Sequence, residues 1–130
     1  MLRALTDTTT LALQRALEGE AARQRTAANN LANLETPGYR PRRVEFQEQL
    51  RAALEAQGEE GAEGEAELLA AVRPEEVTYA GPALRRDGNA VDIETEMADL
   101  AESGLHYQAV IRLLAKKLQM LRSVATEGGK

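Results

Sequence analysis

The chain has 130 residues, a formal net charge of −5, four aromatic side chains, one histidine and no cysteine. That length allows one modest domain or one elongated helical unit, and the missing cysteine excludes disulfides, thiolate metal sites and cysteine nucleophiles. Twenty-three Ala and 18 Leu against so few aromatics favour long helices packed along a seam over an aromatic-filled globule.

The first segment, 1–36, reads as a helix over about 8–35. Leu13, Leu17, Leu31 and Leu34 recur at helical spacing, with polar Glu20 and Gln24 in mid-stripe. Thr8, Thr9 and Thr10 are N-cap candidates. The helix must end near Thr36, because Pro37 disfavours the α conformation before it. Pro37-Gly38 then fits the two central positions of a type II turn.

The middle segment, 37–90, is mixed. Arg40, Pro41, Arg42 and Arg43 form a basic extended stretch, and Val44, Phe46, Leu50 and Leu54 predict a short helix. Residues 57–67 hold five acids and no base. They lack bulky apolar groups, so a mobile acidic loop is expected there. This insert accounts for the net charge, and the remainder is near neutral. Neither a basic face for nucleic acid nor a polybasic stretch for a membrane surface remains. Val77-Thr78-Tyr79 reads as a strand, and Gly81-Pro82 and Asp87-Gly88-Asn89 read as turns, which allows a small β-hairpin within 68–90.

The last segment, 91–130, carries the longest pattern. Ile93, Met97, Leu100, Gly104, Tyr107, Ile111, Leu114, Leu118, Leu121 and Ala125 step by four and three. This is a heptad seam of roughly 50 Å, and it calls for a partner helix. Val110, Leu113, Met120 and Val124 widen the stripe, so this half should touch more than one neighbour. Asp92 is an N-cap candidate, and acids early with bases late follow the helix dipole. The tail from Thr126 should fray. The fold expected is mainly α: long N- and C-terminal helices in an antiparallel-type hairpin or coiled coil, a short middle helix, the acidic loop and the small hairpin. Leu13, Leu17, Leu31 and Leu34 are expected to pack against Ile111, Leu114, Leu118 and Leu121.

Chemistry is sparse. The stretch Asp87 to Glu94 lacks the third ligand and the glycine of a calcium loop, since Val91 stands in the ligand position. His106 sits off the seam with no second imidazole. There is no phosphate-binding glycine loop, dinucleotide fingerprint or serine nucleophile motif. No catalytic, cofactor-binding or metal residue and no small-molecule substrate is expected, and an enzyme is not the reading.

One constellation does stand out. Asn29, Asn30 and Asn33 crowd one helical stretch with Ala32 between them, directly before Thr36-Pro37-Gly38-Tyr39. Asn is an indifferent helix former, and a C-cap explains Asn33 better than it explains the other two. The string Ala28-Asn29-Asn30-Leu31-Ala32-Asn33 followed by Thr36-Pro37-Gly38-Tyr39 resembles the N-terminal signature of bacterial flagellar rod, hook and hook-associated proteins. Asp87 to Asp92, Tyr107-Gln108-Ala109 and Leu113 to Leu118 are similar to the short proximal rod members. The resemblance covers 1–56 and 85–125.

That resemblance implies a structural subunit of the basal-body rod. It implies self-association in a helical assembly through the terminal helices, contact with other rod proteins, the membrane-ring junction and the export apparatus, and a place in the periplasmic rod reached without a cleaved signal peptide. Asn29, Asn30, Ala32, Asn33, Thr36, Pro37, Gly38 and Tyr39 are then assembly residues. The alternatives are another short rod component of the same family or an unrelated helical coiled-coil adaptor.

Overall fold

The computed structural model describes residues 7–56, 61–78 and 92–128. In chain order the elements are α1 (Thr8–Ala32), β1 (Arg42–Glu45), α2 (Gln47–Glu55), α3 (Gly61–Ala71), β2 (Glu75–Thr78) and α4 (Ile93–Gly128). The protein is mainly α, as expected. α1 is the shared element, packing against α4, β1, α3 and α2, while α4 packs principally on α1.

Each long helix begins at an aspartate. Asp7 Oδ1 accepts the Thr10 N–H at 2.8 Å, so the cap lies just before the three threonines. Asp92 does the same for α4, accepting the Glu94 N–H at 3.1 Å and the Thr95 hydroxyl at 3.1 Å. α1 ends three residues earlier than the sequence reading, because Asn33 caps it. α4 continues to Gly128, so the tail from Thr126 is helical through that residue rather than frayed. Its Thr126 hydroxyl donates back to the Arg122 carbonyl at 2.8 Å.

The two long helices run antiparallel. Lys117 Nζ lies 2.5 Å from Asp7, His106 Nδ1 lies 3.3 Å from Glu20, and Arg23 Nη2 lies 3.3 Å from Glu102 and 3.7 Å from Asp99. Partners therefore descend α4 as they ascend α1. This register corrects the expected pairing. Leu31 and Leu34 lie near the start of α4, not opposite Leu118 and Leu121.

The seam is also rotated from the one expected. Leu100, Tyr107, Leu114, Leu121 and Ala125 are half-buried. Between them the inward positions are Glu96 and Ser103, both buried, and Val110 and Lys117, both half-buried. Ile93, Met97, Ile111 and Leu118 are exposed instead. The cause lies on α1. Its facing surface carries Glu20 and Arg23, which need charged partners, and these come from Asp99, Glu102 and His106. A buried carboxylate or guanidinium without such partners would cost more than an exposed methionine.

The middle segment departs from expectation three times, first at Val44, which lies in β1, with Phe46 capping a short helix that begins only at Gln47. Residues 61–71 form α3, although 57–67 were expected to be a mobile loop. Ala, Glu and Leu are strong helix formers, and Leu69, fully buried with Ala53 and Val72, anchors the helix against Leu11, Ala12 and Leu50. Residues 57–60 lie outside the described residues. The strand at Val77-Thr78 exists, and among the described residues its partner is β1 rather than a second strand of the middle segment's end. β2 pairs antiparallel with β1, Arg42 opposite Thr78 and Glu45 opposite Glu75. The turns at Gly81-Pro82 and Asp87-Gly88-Asn89 lie outside the described residues.

One close approach fixes the middle segment on α1. The buried ring of Phe46 lies directly over Gly19, where any Cβ would overlap the ring atoms. Only glycine allows that contact.

Candidate assembly site

The asparagine-rich end of α1 folds into a joint between helix and strand. Asn30 is 1% exposed. Its Nδ2 donates to the Arg42 carbonyl at 2.8 Å, and its Oδ1 accepts the Arg42 N–H at 3.1 Å. The same Oδ1 accepts the Tyr39 hydroxyl at 2.8 Å. One amide thus satisfies both backbone groups of Arg42, as a neighbouring strand would.

Asn33 closes the helix. Its N–H donates to the Asn29 carbonyl at 3.1 Å, and its Nδ2 donates to the same carbonyl at 2.8 Å. Its Oδ1 accepts the Thr36 hydroxyl at 3.2 Å. The Tyr39 N–H then donates to the Thr36 carbonyl at 3.2 Å, with Gly38 at φ 78°. Positive φ at that position is what a type II turn demands of glycine. A Cβ at Gly38 would meet nothing within 4 Å, so the constraint there is conformational, not steric.

Asn29, Asn33, Gly38, Tyr39, Arg40 and Arg42 line an open cleft of about 520 Å3 beside this joint. Across it, the Thr26 hydroxyl donates to Glu76 Oε1 at 3.0 Å, and Arg42 Nη1 donates to Glu76 Oε2 at 3.2 Å. These two bonds, Thr26 first, hold the Glu76 carboxyl below its ordinary value. Burial raises the Tyr39 phenol, with Arg42 opposing and Glu96 and Glu76 adding. Burial also raises the Glu96 carboxyl, against a hydrogen bond from Asn30 and the charge of Arg43. Among the described residues no cluster of ligating side chains could hold a metal ion, and no helix is long and apolar enough to cross a membrane.

The structure links Asn30 to Tyr39, Tyr39 to Thr36 and Thr36 to Asn33 by hydrogen bonds, with Gly38 in the turn between Thr36 and Tyr39. Asn29 contributes its carbonyl to the cap, while Ala32 and Pro37 are exposed. Leu13, Leu17 and Leu31 are half-buried along α1, and Leu34 is half-buried just beyond its cap. Sequence reasoning missed Arg42 as the partner of Asn30, and Thr26, Glu76 and Glu96 around it. It also missed the Glu20–Arg23 ladder, whose signal was the matching spacing of Glu96, Asp99, Glu102 and His106.

The family model for flagella basal body rod proteins matches residues 11–40, the stretch that builds α1, its cap and the turn. The flagellar basal body rod protein FlgB of Yersinia ruckeri is 32% identical over 126 residues, covering 88% of this chain and 91% of the relative. The chain belongs to the FlgB family of flagellar basal body rod proteins. The FlgB of Yersinia enterocolitica is 30% identical, with 88% of this chain and 91% of that one covered. The FlgB of Bacillus subtilis is 28% identical over 132 residues, 91% and 92% of the two chains. The similarity to FlgB proteins therefore extends well past the signature and takes in α4.

Proposed function

We propose that this structural subunit of the flagellar basal body rod acts passively, as a part of the proximal rod that polymerises through its terminal helices and performs no catalysis. The observation that supports this is the surface of α4. On either side of the line facing α1 it exposes apolar side chains: Ile93, Met97, Ile111 and Leu118 on one flank, and Leu113, Met120 and Val124 on the other. A helix with a paired face and two apolar flanks is built to meet further helices. The joint at Asn30 and the turn at Gly38 set the angle at which the strands leave α1, and so the orientation of the middle segment relative to the polymer axis.

Partners in this reading are further copies of the chain, other rod proteins, the membrane-ring junction and the export apparatus. The site of action is the periplasmic rod, reached by flagellar export without a cleaved signal. The test is a Gly38→Val strain. A branched residue at φ 78° strains the turn, so the subunit should be exported and fail to assemble. Normal motility in that strain would overturn the role given to the turn. Normal flagella after deletion of the gene would overturn the rod reading altogether.

A further inference from the structure

We infer that an alanine-floored groove between α2 and α3 receives the Leu113–Met120–Val124 flank of α4 from a second copy of this chain. The inference rests on the rod-subunit reading and names the surfaces that would meet.

The groove measures about 280 Å3, and Ala52, Ala53, Ala56 and Ala71 form its floor with Leu68 and Val72 as walls. Small residues let another helix come close, and large side chains entering such a groove restore packing density. The chain itself carries the matching shape. Leu113, Met120 and Val124 lie on one side of α4 at spacings of seven and four, at 55%, 55% and 67% exposure. Leu113 and Met120 are two helical turns apart, and Val124 follows one turn later.

Charge points the same way. From 112 to 122, α4 carries Arg112, Lys116, Lys117 and Arg122 and no acid. Lys117 is held by Asp7, while Lys116 is exposed next to the flank and Arg112 is exposed further round the back of the helix. The groove is bordered by acids. Glu48 stands one helical turn before Ala52 and Glu67 one turn before Ala71, both exposed, while Glu55 is paired with Arg51 at 2.8 Å. A basic, bulky edge and an acidic, shallow groove on one chain are complementary in both size and sign.

Groove and flank are different patches, so their contact is head-to-tail. It cannot close on a two-fold axis and propagates as a row of subunits. In a single copy the flank is exposed, as are Ala52, Leu68 and Ala71 of the groove, while Ala53 and Val72 reach it from the buried core.

The absence of native cysteine makes the test clean. The full chain carrying Ala71→Cys and Met120→Cys is oxidised across a concentration series and resolved without reductant. A ladder of disulfide-linked multimers is expected. Each single variant alone should stay monomeric, and the two singles mixed should stop at a dimer. The pair Ala71→Cys with Ile111→Cys, which moves the thiol to the opposite flank, should give no ladder. Arg112→Glu with Lys116→Glu should lower the ladder yield about tenfold, and Glu48→Lys with Glu67→Lys should restore it. No ladder from the first pair, or an equal ladder from the Ile111 pair, overturns the inference. Complementation separates the two failures. If the cysteine-free chain restores swimming to a deletion strain and no ladder forms, the groove contact falls and the rod reading stands. If the deletion strain swims unaided, the rod reading falls.

Discussion

Asn30 takes the place of a strand neighbour for Arg42, and three hydrogen bonds converge on it. Asn30→Ala leaves the Arg42 backbone groups and the Tyr39 hydroxyl to find other partners. We expect a loss of about 2–3 kcal/mol, read from urea unfolding of the full chain, with little change in helix content. Gly19→Ala is expected to cost about 1–3 kcal/mol, because Phe46 must give way. Glu96 gives a pH test. Its folded value lies above the ordinary glutamate value of 4.5, since burial favours the neutral form. A group raised in this way stabilises the fold fully below its unfolded value, and that stability is lost as pH rises through the folded value. Glu96→Gln should therefore raise the melting temperature at pH 7, and the two proteins should converge as pH falls towards 4. A melting temperature unchanged at pH 7 would contradict the burial argument.

At the scale of elements, local features were legible in the sequence and partnerships were not. The end of α1, the positive φ at Gly38 and the Asp92 cap depend on a few adjacent residues, so composition and spacing reveal them. The seam of α4 does not work that way. A hydrophobic count prefers Met97, Ile111 and Leu118, but α1 presents Glu20 and Arg23, and pairing them with Asp99, Glu102 and His106 sets a rotation of α4 that leaves Glu96 and Ser103 inward. The strand pairing was hidden for the same reason, since β1 and β2 are separated by two helices. In α3, helix propensity and the buried Leu69 outweigh two glycines and a run of glutamates. The hairpin has a pH signature of its own at Asp7. Burial there would raise the carboxyl, but the bonds from Lys117 and from Thr10 prevail and hold it below its ordinary value. Its contribution is present at neutral pH and is lost as pH falls through the folded value. Asp7→Ala should cost about 1 kcal/mol at pH 7, and the difference should shrink at pH 3.

At the scale of the molecule, little apolar surface holds the helices in place. The buried cluster of Ala53, Leu69 and Val72 is small, and α1 and α4 meet through ion pairs as much as through leucines. Exposed ion pairs contribute little individually and are screened by salt. The dilute full chain should therefore melt broadly by circular dichroism, with both ends of the hairpin exchanging amide protons first. Conditions that favour self-association should sharpen the transition. A sharp, concentration-independent melt would count against a subunit completed by its neighbours. The joint at Asn30 has a further effect. Because an amide occupies both backbone groups of Arg42, the free side of β1 offers no template there for an incoming strand. The other strand, β2, carries Glu75 and Glu76, exposed charges of the kind that repel edge-to-edge growth. Among the described residues the strand pair thus offers little backbone for cross-β growth, and the exposed apolar surface lies on the helices instead.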